Sequence, residues 1–327
     1  MITVVSGGVG AARFLRALLS VVPADDVTAV VNTGDDTVMH GLSISPDIDT
    51  ITYTLAGATD EVRGWGMRDE TWRAMEALHR FVAVRPAGST AAPTWFNLGD
   101  QDLATHFYRT ARLAEGGTLT DVTAEICTAF GVEIALLPMT HQIVETRVML
   151  AGESAEMDRE VSFQEYFVEL HHGVPVRSVR FAGSDVASLT DRARRALVEA
   201  ETVVIAPSNP LVSIGPLRAL AGVDEILGGR RDSVVAVSPI VGGTALKGPA
   251  DRMLVELGHE ASVVGVARLY APIASALVID PVDAHLADAV AAAGMRPVIV
   301  PSIMNAPEVS ATLARATLAA VSARRGN

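Results

Sequence analysis

Residues 2–10 read Ile2-Thr3-Val4-Val5-Ser6-Gly7-Gly8-Val9-Gly10, and residues 27–36 read Val27-Thr28-Ala29-Val30-Val31-Asn32-Thr33-Gly34-Asp35-Asp36. Each stretch opens with an apolar, β-branched run of the kind buried in a parallel sheet. Between them Phe14, Leu15, Leu18 and Leu19 recur at helical spacing, so the opening is a βαβ unit with a right-handed crossover. The natural continuation is an α/β fold with a doubly wound, mostly parallel Rossmann-like sheet. Both strands end in polar or glycine-rich residues, and in such sheets ligands bind outside the carboxyl ends of the strands.

The glycine turn admits two readings. Glycines permit close backbone approach, and a helix N-terminus attracts anions. The same turn also serves as a tight βα connection without a ligand. A Walker loop is excluded because Gly-Lys-Ser/Thr is missing, and a full GxGxxG is excluded because Arg13 stands at the third glycine position. Asn32 closes the second strand with an amide able both to donate and to accept. Asp35 and Asp36 are open to ligand contact or to capping a turn. Ser45-Pro46-Asp47-Ile48-Asp49-Thr50 then starts an apolar-periodic helix. Its two acids could share a hard cation such as Mg²⁺ through oxygen ligands, act as a general base on a hydroxyl, or simply favour the helix dipole.

Farther along, Thr71–Arg80, Asp102–Glu115 and Leu119–Phe130 carry helical patterns, while Ile143–Leu150 and Val161–Glu169 read as strands. Of the 15 aromatic residues, all except Phe14 and Tyr270 fall between Tyr53 and Phe181. We therefore expect an aromatic-rich helical and β insertion over residues 62–180, between core segments 1–61 and 181–327. It serves either to bind a flat ring or to supply a subdomain core. The α/β rhythm returns with helix Ser188–Glu199, strand Thr202–Ala206, helix Ile214–Leu220 and strand Val234–Val237. Strands Ser262–Val266, Ala276–Ile279 and Pro297–Val300 follow, then a helix over Glu308–Arg324. Ala87–Pro93 is the one flexible-looking segment. Ser208, Asn209 and Ser213 form a second polar loop at the same sheet edge. Lys247, the one lysine of the chain, lies in a glycine-rich loop where it either reaches phosphate or is solvated.

A net charge of −12 argues against nonspecific nucleic-acid binding, which needs a basic face. No apolar run has the ~20 residues of a membrane helix, and no signal peptide precedes the first strand. Cys127, the single cysteine, rules out an internal disulfide and fits a reducing cytoplasm. The eight histidines form no metal set, and no Gly-x-Ser-x-Gly elbow is present.

These motifs, with Gly64-Trp65-Gly66, Asn97-Leu98-Gly99-Asp100-Gln101-Asp102-Leu103-Ala104-Thr105-His106, Phe163-Gln164-Glu165, Ala206-Pro207-Ser208-Asn209-Pro210 and Ser238-Pro239-Ile240, resemble the 2-phospho-L-lactate transferase family of coenzyme F420 biosynthesis. That family is known as CofD in archaea and FbiA in actinobacteria, and Asp69–Trp72 leans toward the actinobacterial branch. The resemblance implies transfer of a phospholactyl or phosphoenolpyruvyl group from a guanosine diphosphate-linked donor to the terminal hydroxyl of the deazaflavin Fo, with release of GMP. It implies that Asp49 stands beside the attacking hydroxyl, with Asp47 and Asp49 holding Mg²⁺. Gly8 and Gly10 would cradle the diphosphate, and Asn32, Ser208, Asn209 and Ser213 would line the guanosine side. Trp65 and the Gly99–His106 loop would hold Fo, and Asp35, Asn97, Asp100 and His106 complete the expected substrate-binding set. Gln101 stands where the family usually has an arginine, which bears on donor choice. A cytoplasmic homodimer is implied as well. The rival resemblance is to the nucleotide-sugar-binding regulators typified by YvcK, which share the glycine turn and an Asn-Asp loop.

Overall fold

The structure is a computed structural model that describes residues 1–89 and 91–322. Seven parallel strands form the central sheet: β1 (Ile2–Ser6), β2 (Val27–Val31), β3 (Ala135–Pro138), β4 (Thr202–Ile205), β5 (Val234–Val237), β6 (Ala276–Ile279) and β7 (Arg296–Ile299). Their spatial order is β7-β6-β5-β4-β1-β2-β3. From β1 the chain winds outward to β2 and β3, and then returns to β4 on the other side and winds outward again. The direction of winding therefore reverses between β1 and β4, and a crevice opens there at the carboxyl ends of the strands. The doubly wound sheet expected from the opening βαβ unit is present.

Both faces are covered. On one, helices Gly8–Leu19, Pro46–Leu55 and Pro307–Ser322 bury Phe14, Leu15, Leu18, Ile48, Ile51 and Leu313 against β1 and β2. On the other, helices Asp191–Glu199, Val223–Gly229 and Val263–Tyr270 bury Leu197, Leu227, Val266 and Tyr270. Burial on both faces explains why β1, β4 and β5 read as continuous apolar runs rather than alternating ones.

Four expectations need correction. The span 62–180 is not wholly outside the core, because Ala135–Pro138 pairs in parallel with β2, from Thr28↔Ala135 to Val31↔Pro138. Its apolar run Ala135-Leu136-Leu137 has a whole strand edge to cover. The rest of that span forms helices Arg73–Val82, Asp100–Ala114 and Leu119–Ala129 and a three-stranded antiparallel sheet of Arg159–Ser162, Glu145–Leu150 and Val176–Ala182. Second, Gly99–His106 is not a loop, since Asp100 begins a helix. Third, the strand expected over Val161–Glu169 stops at Ser162, whose hydroxyl accepts from the Glu165 N–H at 3.1 Å and turns the chain into one turn of π-helix, Glu165–Glu169. Finally, Ser262–Val266 is the start of a helix. Val263, Val264 and Val266 are all buried, so periodicity alone does not separate strand from helix there. The Ser262 hydroxyl decides it by accepting from the Val264 and Gly265 N–H groups at 3.1 and 3.2 Å. The expected end of the last helix at Arg324, and Thr90 within Ala87–Pro93, lie outside the described residues.

Ser262→Ala removes a cap worth about 1 kcal/mol. Thermal unfolding of this variant should show a midpoint lower by about 2 °C, and an unchanged midpoint would mean the helix start is held by packing alone.

Candidate active site

The crevice is closed so tightly that glycine is the only residue that fits at two places. A Cβ on Gly10 would stand 2.0 Å from the Pro207 carbonyl oxygen, so the first βα turn lies directly on the loop after β4. A Cβ on Gly7 would meet the Asp47 carboxylate at 2.8 Å and Ser213 at 2.9 Å. Gly10 is thus required for chain-to-chain contact. Gly8, at φ +71°, is the least crowded member of the turn, where an added Cβ would be in ordinary contact with Asp47 Oδ1 at 3.8 Å. Ser208 locks the two halves together by donating to the Gly7 carbonyl at 2.7 Å.

Asn32, 1% exposed, donates from Nδ2 to Asp47 Oδ2 at 2.9 Å and accepts the Gly34 N–H on Oδ1 at 2.8 Å. It fixes the Asp47 carboxylate over the glycine turn. Burial pushes Asp47 up to about 6, held back by the bonds from Asn32 and from the Gly8 N–H. Asp35 is raised well above the carboxylate range, first by burial and then by the charge of Asp47. Asp36 is raised mainly by burial, although Ser45 donates to its Oδ2 at 2.8 Å. Among the described residues, Asp35 Oδ1 and Asp36 Oδ1 are buried oxygens without any hydrogen-bond partner. Two carboxylates, each with one unsatisfied and buried oxygen, are the kind of donor a hard divalent cation takes.

Asp49 belongs to a different cluster. It lies two positions after Asp47 on the helix Pro46–Leu55, and residues two apart are rotated about 200° from one another. The two carboxylates therefore point to different sides and do not converge on one cation. Both Asp49 oxygens accept from Arg109: Nη1 reaches Oδ2 at 3.1 Å and Nη2 bonds Oδ1. Arg109 is completely buried; burial is the strongest single influence and lowers its guanidinium, but the charge and hydrogen bonds of Asp49, with Tyr53 and Asp36, together raise it above its ordinary value. His106 lies between the acids, with Nδ1 3.8 Å from Asp49 and Nε2 3.2 Å from Asp102. Tyr53 donates to Asp102 at 2.7 Å. Burial raises Asp102, but the bonds from His106 and Tyr53 and the Arg109 charge hold it below the usual range. Ligand atoms of Asp49, Asp102 and His106 come within 4.8 Å of one another, a spacing that would suit a metal. The guanidinium already supplies the cation this cluster needs, so we place no metal there.

The remaining expected residues divide. Ser213 packs against the glycine turn through the contact above. Asn209 turns its amide oxygen onto its own loop, accepting from Leu211 N–H at 2.9 Å. Asp100 is exposed and caps a turn, accepting from the Thr71 N–H at 2.7 Å and hydroxyl at 3.1 Å, so its carboxylate is already committed. Gln101 donates to the Arg68 carbonyl at 3.3 Å, Asn97 is exposed, and His106 is buried beneath Asp49. Trp65 is 46% exposed and packs on Trp72 at 5.8 Å between ring centroids, with the Arg63 guanidinium over both rings. Arg109 and Tyr53 were not foreseen. Asp102, His106 and Arg109 follow one another at positions i, i+4 and i+7 of the helix Asp100–Ala114, a polar stripe that sequence periodicity could have revealed.

The profile described as 2-phospho-L-lactate transferase CofD matches residues 2–317. The phosphoenolpyruvate transferase of Kitasatospora aureofaciens is 39% identical over 320 residues, covering 97% of each chain. That of Mycobacterium ulcerans is 38% identical over 328 residues, again 97% of each. Among solved structures, a UPF0052-family protein of Bacillus halodurans superposes with a TM-score of 0.57 at 14% identity, covering 96% of this chain and 98% of its own, which is a likeness of fold. Near-complete coverage by transferases favours the enzyme over the nucleotide-sugar-binding regulator. The chain belongs to the CofD family, the 2-phospho-L-lactate transferases of coenzyme F420 biosynthesis.

Proposed function

We propose that this transferase moves a phosphoenolpyruvyl group from a guanosine diphosphate-linked donor to the terminal hydroxyl of Fo, releasing GMP. One observation carries the reading: Asp47, aligned by Asn32, hangs over the phosphate-ready turn at the reversal point of the sheet. The names of the relatives favour the enolpyruvyl over the lactyl unit.

In the proposed reaction the Fo hydroxyl oxygen bonds to the phosphorus that carries the acid unit. The bond from that phosphorus to the bridging oxygen breaks, and GMP departs. Asp47, ionised at neutral pH, takes the hydroxyl proton, with Asn32 holding its orientation. The Gly8 turn and the helix behind it receive the diphosphate, while Ser208, Asn209 and Ser213 shape the guanosine side. The unpaired oxygens of Asp35 and Asp36 would hold Mg²⁺, which would neutralise charge on the diphosphate when bound. Asp49 positions this edge through Arg109 and does not receive the proton itself. Trp65 and the half-exposed Phe163 and Phe167, stacked at 5.4 Å, offer flat surfaces for the deazaflavin. A homodimer is part of this reading by resemblance.

Three outcomes follow. Mass measurement of the product from Fo and each donor in turn should give the dehydro product with the enolpyruvyl donor, and a product from the lactyl donor alone would reverse the donor choice. Asp47→Asn and Asp49→Asn should both lower turnover, Asp47→Asn by about 10²–10⁴, but with opposite effects on stability. Asp49→Asn strands a buried guanidinium and costs about 3–5 kcal/mol. Asp47→Asn removes a carboxylate whose folded-state value is raised, so in metal-free buffer its stability relative to the parent grows as pH rises from about 4 through 6. Full activity in Asp47→Asn would remove it from the reaction. Finally, Mg²⁺ should raise the melting temperature at pH 7.5 in a concentration-dependent way, lose most of that effect at pH 5, and lose it in Asp35→Asn. A shift unaffected by Asp35→Asn would place the cation elsewhere.

A further inference from the structure

The acidic loop after β2 is held by three successive carbonyls. The Asp36 N–H donates to the Thr33 carbonyl at 3.2 Å, within the loop itself. The Thr146 N–H, on the strand Glu145–Leu150 of the antiparallel sheet, donates to the Gly34 carbonyl at 2.7 Å. Gln164 Nε2 donates to the Asp35 carbonyl at 3.2 Å. The first two donors are backbone groups, which any residue but proline supplies. The third is a side chain, so the hold on Asp35 depends on which residue stands at position 164. Held this way, the loop carries buried oxygens with no hydrogen-bond partner among the described residues: Thr33 Oγ1, Asp35 Oδ1 and Asp36 Oδ1.

Glutamine is mostly a surface residue, yet Gln164 is buried and its partner lies 129 residues away in the sequence. The segment it opens keeps it there. Gln164 immediately precedes the π-helical turn Glu165–Glu169, a rare form that occurs frequently at functional sites. Tyr166 anchors the turn from beneath: it is fully buried, and its hydroxyl accepts from Arg252 Nη2 at 2.6 Å. The His172 N–H donates to the Tyr166 carbonyl at 2.8 Å, and His171 and His172 end the segment at φ +49° and +42°, a left-handed conformation uncommon for residues other than glycine. Phe163 and Phe167 stack at 5.4 Å with ring planes 22° apart, and the His172 ring lies 5.3 Å from the exposed Phe167. Phe163 thus belongs to the ring face, while the very next residue reaches the acidic loop.

We propose that Gln164 is a positioning residue that ties the cation-holding oxygens of Asp35 and Asp36 to the Phe163–Phe167 ring face, so that Mg²⁺ and the aromatic acceptor bind cooperatively. The proposal rests on the transferase reading above for the identity of the acceptor. The amide of Gln164 is spent on a backbone carbonyl, and through it fixes the start of both acidic side chains. A ring laid on Phe163 and Phe167 restrains the residue between them and the loop, so the loop is ordered before the cation arrives. A bound cation restrains the loop and lowers the ordering cost for the ring in the same way. Such linkage is reciprocal by necessity.

Thermal unfolding with Mg²⁺ as the sole added ligand tests the first half and needs no turnover. Gln164→Met keeps the length of the side chain and removes the donor. It should need about tenfold more Mg²⁺ for the same rise in melting temperature, the loss expected for one hydrogen bond, and bind GDP in metal-free buffer within about twofold of the parent. The Mg²⁺ concentration at half-maximal rate should rise by the same factor while kcat at saturating Mg²⁺ recovers, a split that a general loss of packing would not give. Titration calorimetry with Fo tests the second half. The parent should bind Fo about fivefold more tightly with saturating Mg²⁺ than with EDTA, and Gln164→Met equally in both. Phe167→Leu should weaken Fo and reduce that ratio, with its response to Mg²⁺ alone unchanged. An unaltered Mg²⁺ response in Gln164→Met, or an Fo affinity in the parent that ignores Mg²⁺, overturns the proposal. So does a metal-free loss of Fo in Gln164→Met as large as in Phe167→Leu, which would make Gln164 part of the ring face. Should Gln164→Met prove unfolded, the ratio in the parent and in Phe167→Leu decides the matter. A parent that shows the linkage yet forms no product from donor and Fo would instead count against the transferase reading.

Discussion

A guanidinium with no exposure to solvent grips Asp49 and acts on two further carboxylates, those of Asp36 and Asp102. Without Arg109, Asp49 would be buried with no guanidinium to pair it, and the Asp102 carboxylate would lose one of the charges that hold it below its usual range. The arginine comes from a helix that starts at Asp100, the acid it grips from a helix that starts at Pro46, and their pairing fixes the rotation of the latter. That rotation turns Asp47, about 200° away on the same helix, toward the glycine turn. The position of the Asp47 carboxylate is thus set from below, by an ion pair on the other side of its own helix.

The division of labour between two neighbouring aspartates is also where reading the sequence reached its limit. β1, β2, the glycine turn and Asn32 were legible because each depends on local pattern: apolar runs, a turn between strand and helix, a polar residue closing a strand. The Pro46 helix with its two acids was legible for the same reason. Their roles were not, since these depend on Arg109, 60 residues away and matched to Asp49 only by tertiary packing. The strand Ala135–Pro138 was hidden within a span whose aromatic content set it apart, and its place in the sheet follows from the open edge of β2. At Ser262, a run of buried valines carried no usable period, and only one hydroxyl marked the helix start. Asp100, by contrast, was given a ligand role by its motif alone, and its carboxylate proves to be the partner of Thr71.

The crevice gathers groups from far apart in the chain, and the contacts that join them are short-range and unforgiving. The Gly10–Pro207 approach, the Ser208–Gly7 hydrogen bond and the Ser213–Gly7 contact leave no room for an added methyl group. Gln164 joins in by donating to the Asp35 carbonyl at 3.2 Å, which ties the π-helical turn and its aromatic rings to the acidic loop. A crevice built this way is tightly packed around its glycine turn, whereas Trp65, Phe167 and Lys247 are exposed.

The register of β1 has a consequence for biosynthesis. Ile2 pairs with Val27 on one side and with Thr202 on the other. A nascent chain can satisfy the first edge of that strand almost at once, but the second edge waits until some two hundred residues have left the ribosome. At about 5–20 residues per second this is on the order of ten seconds or more during which an apolar strand edge has no native neighbour. The central strand of the finished enzyme is, for that interval, an edge strand exposed to wrong pairing. Slowly translated or truncated chains should therefore be the aggregation-prone ones, and the interval ends only when the loop that completes the crevice arrives with β4.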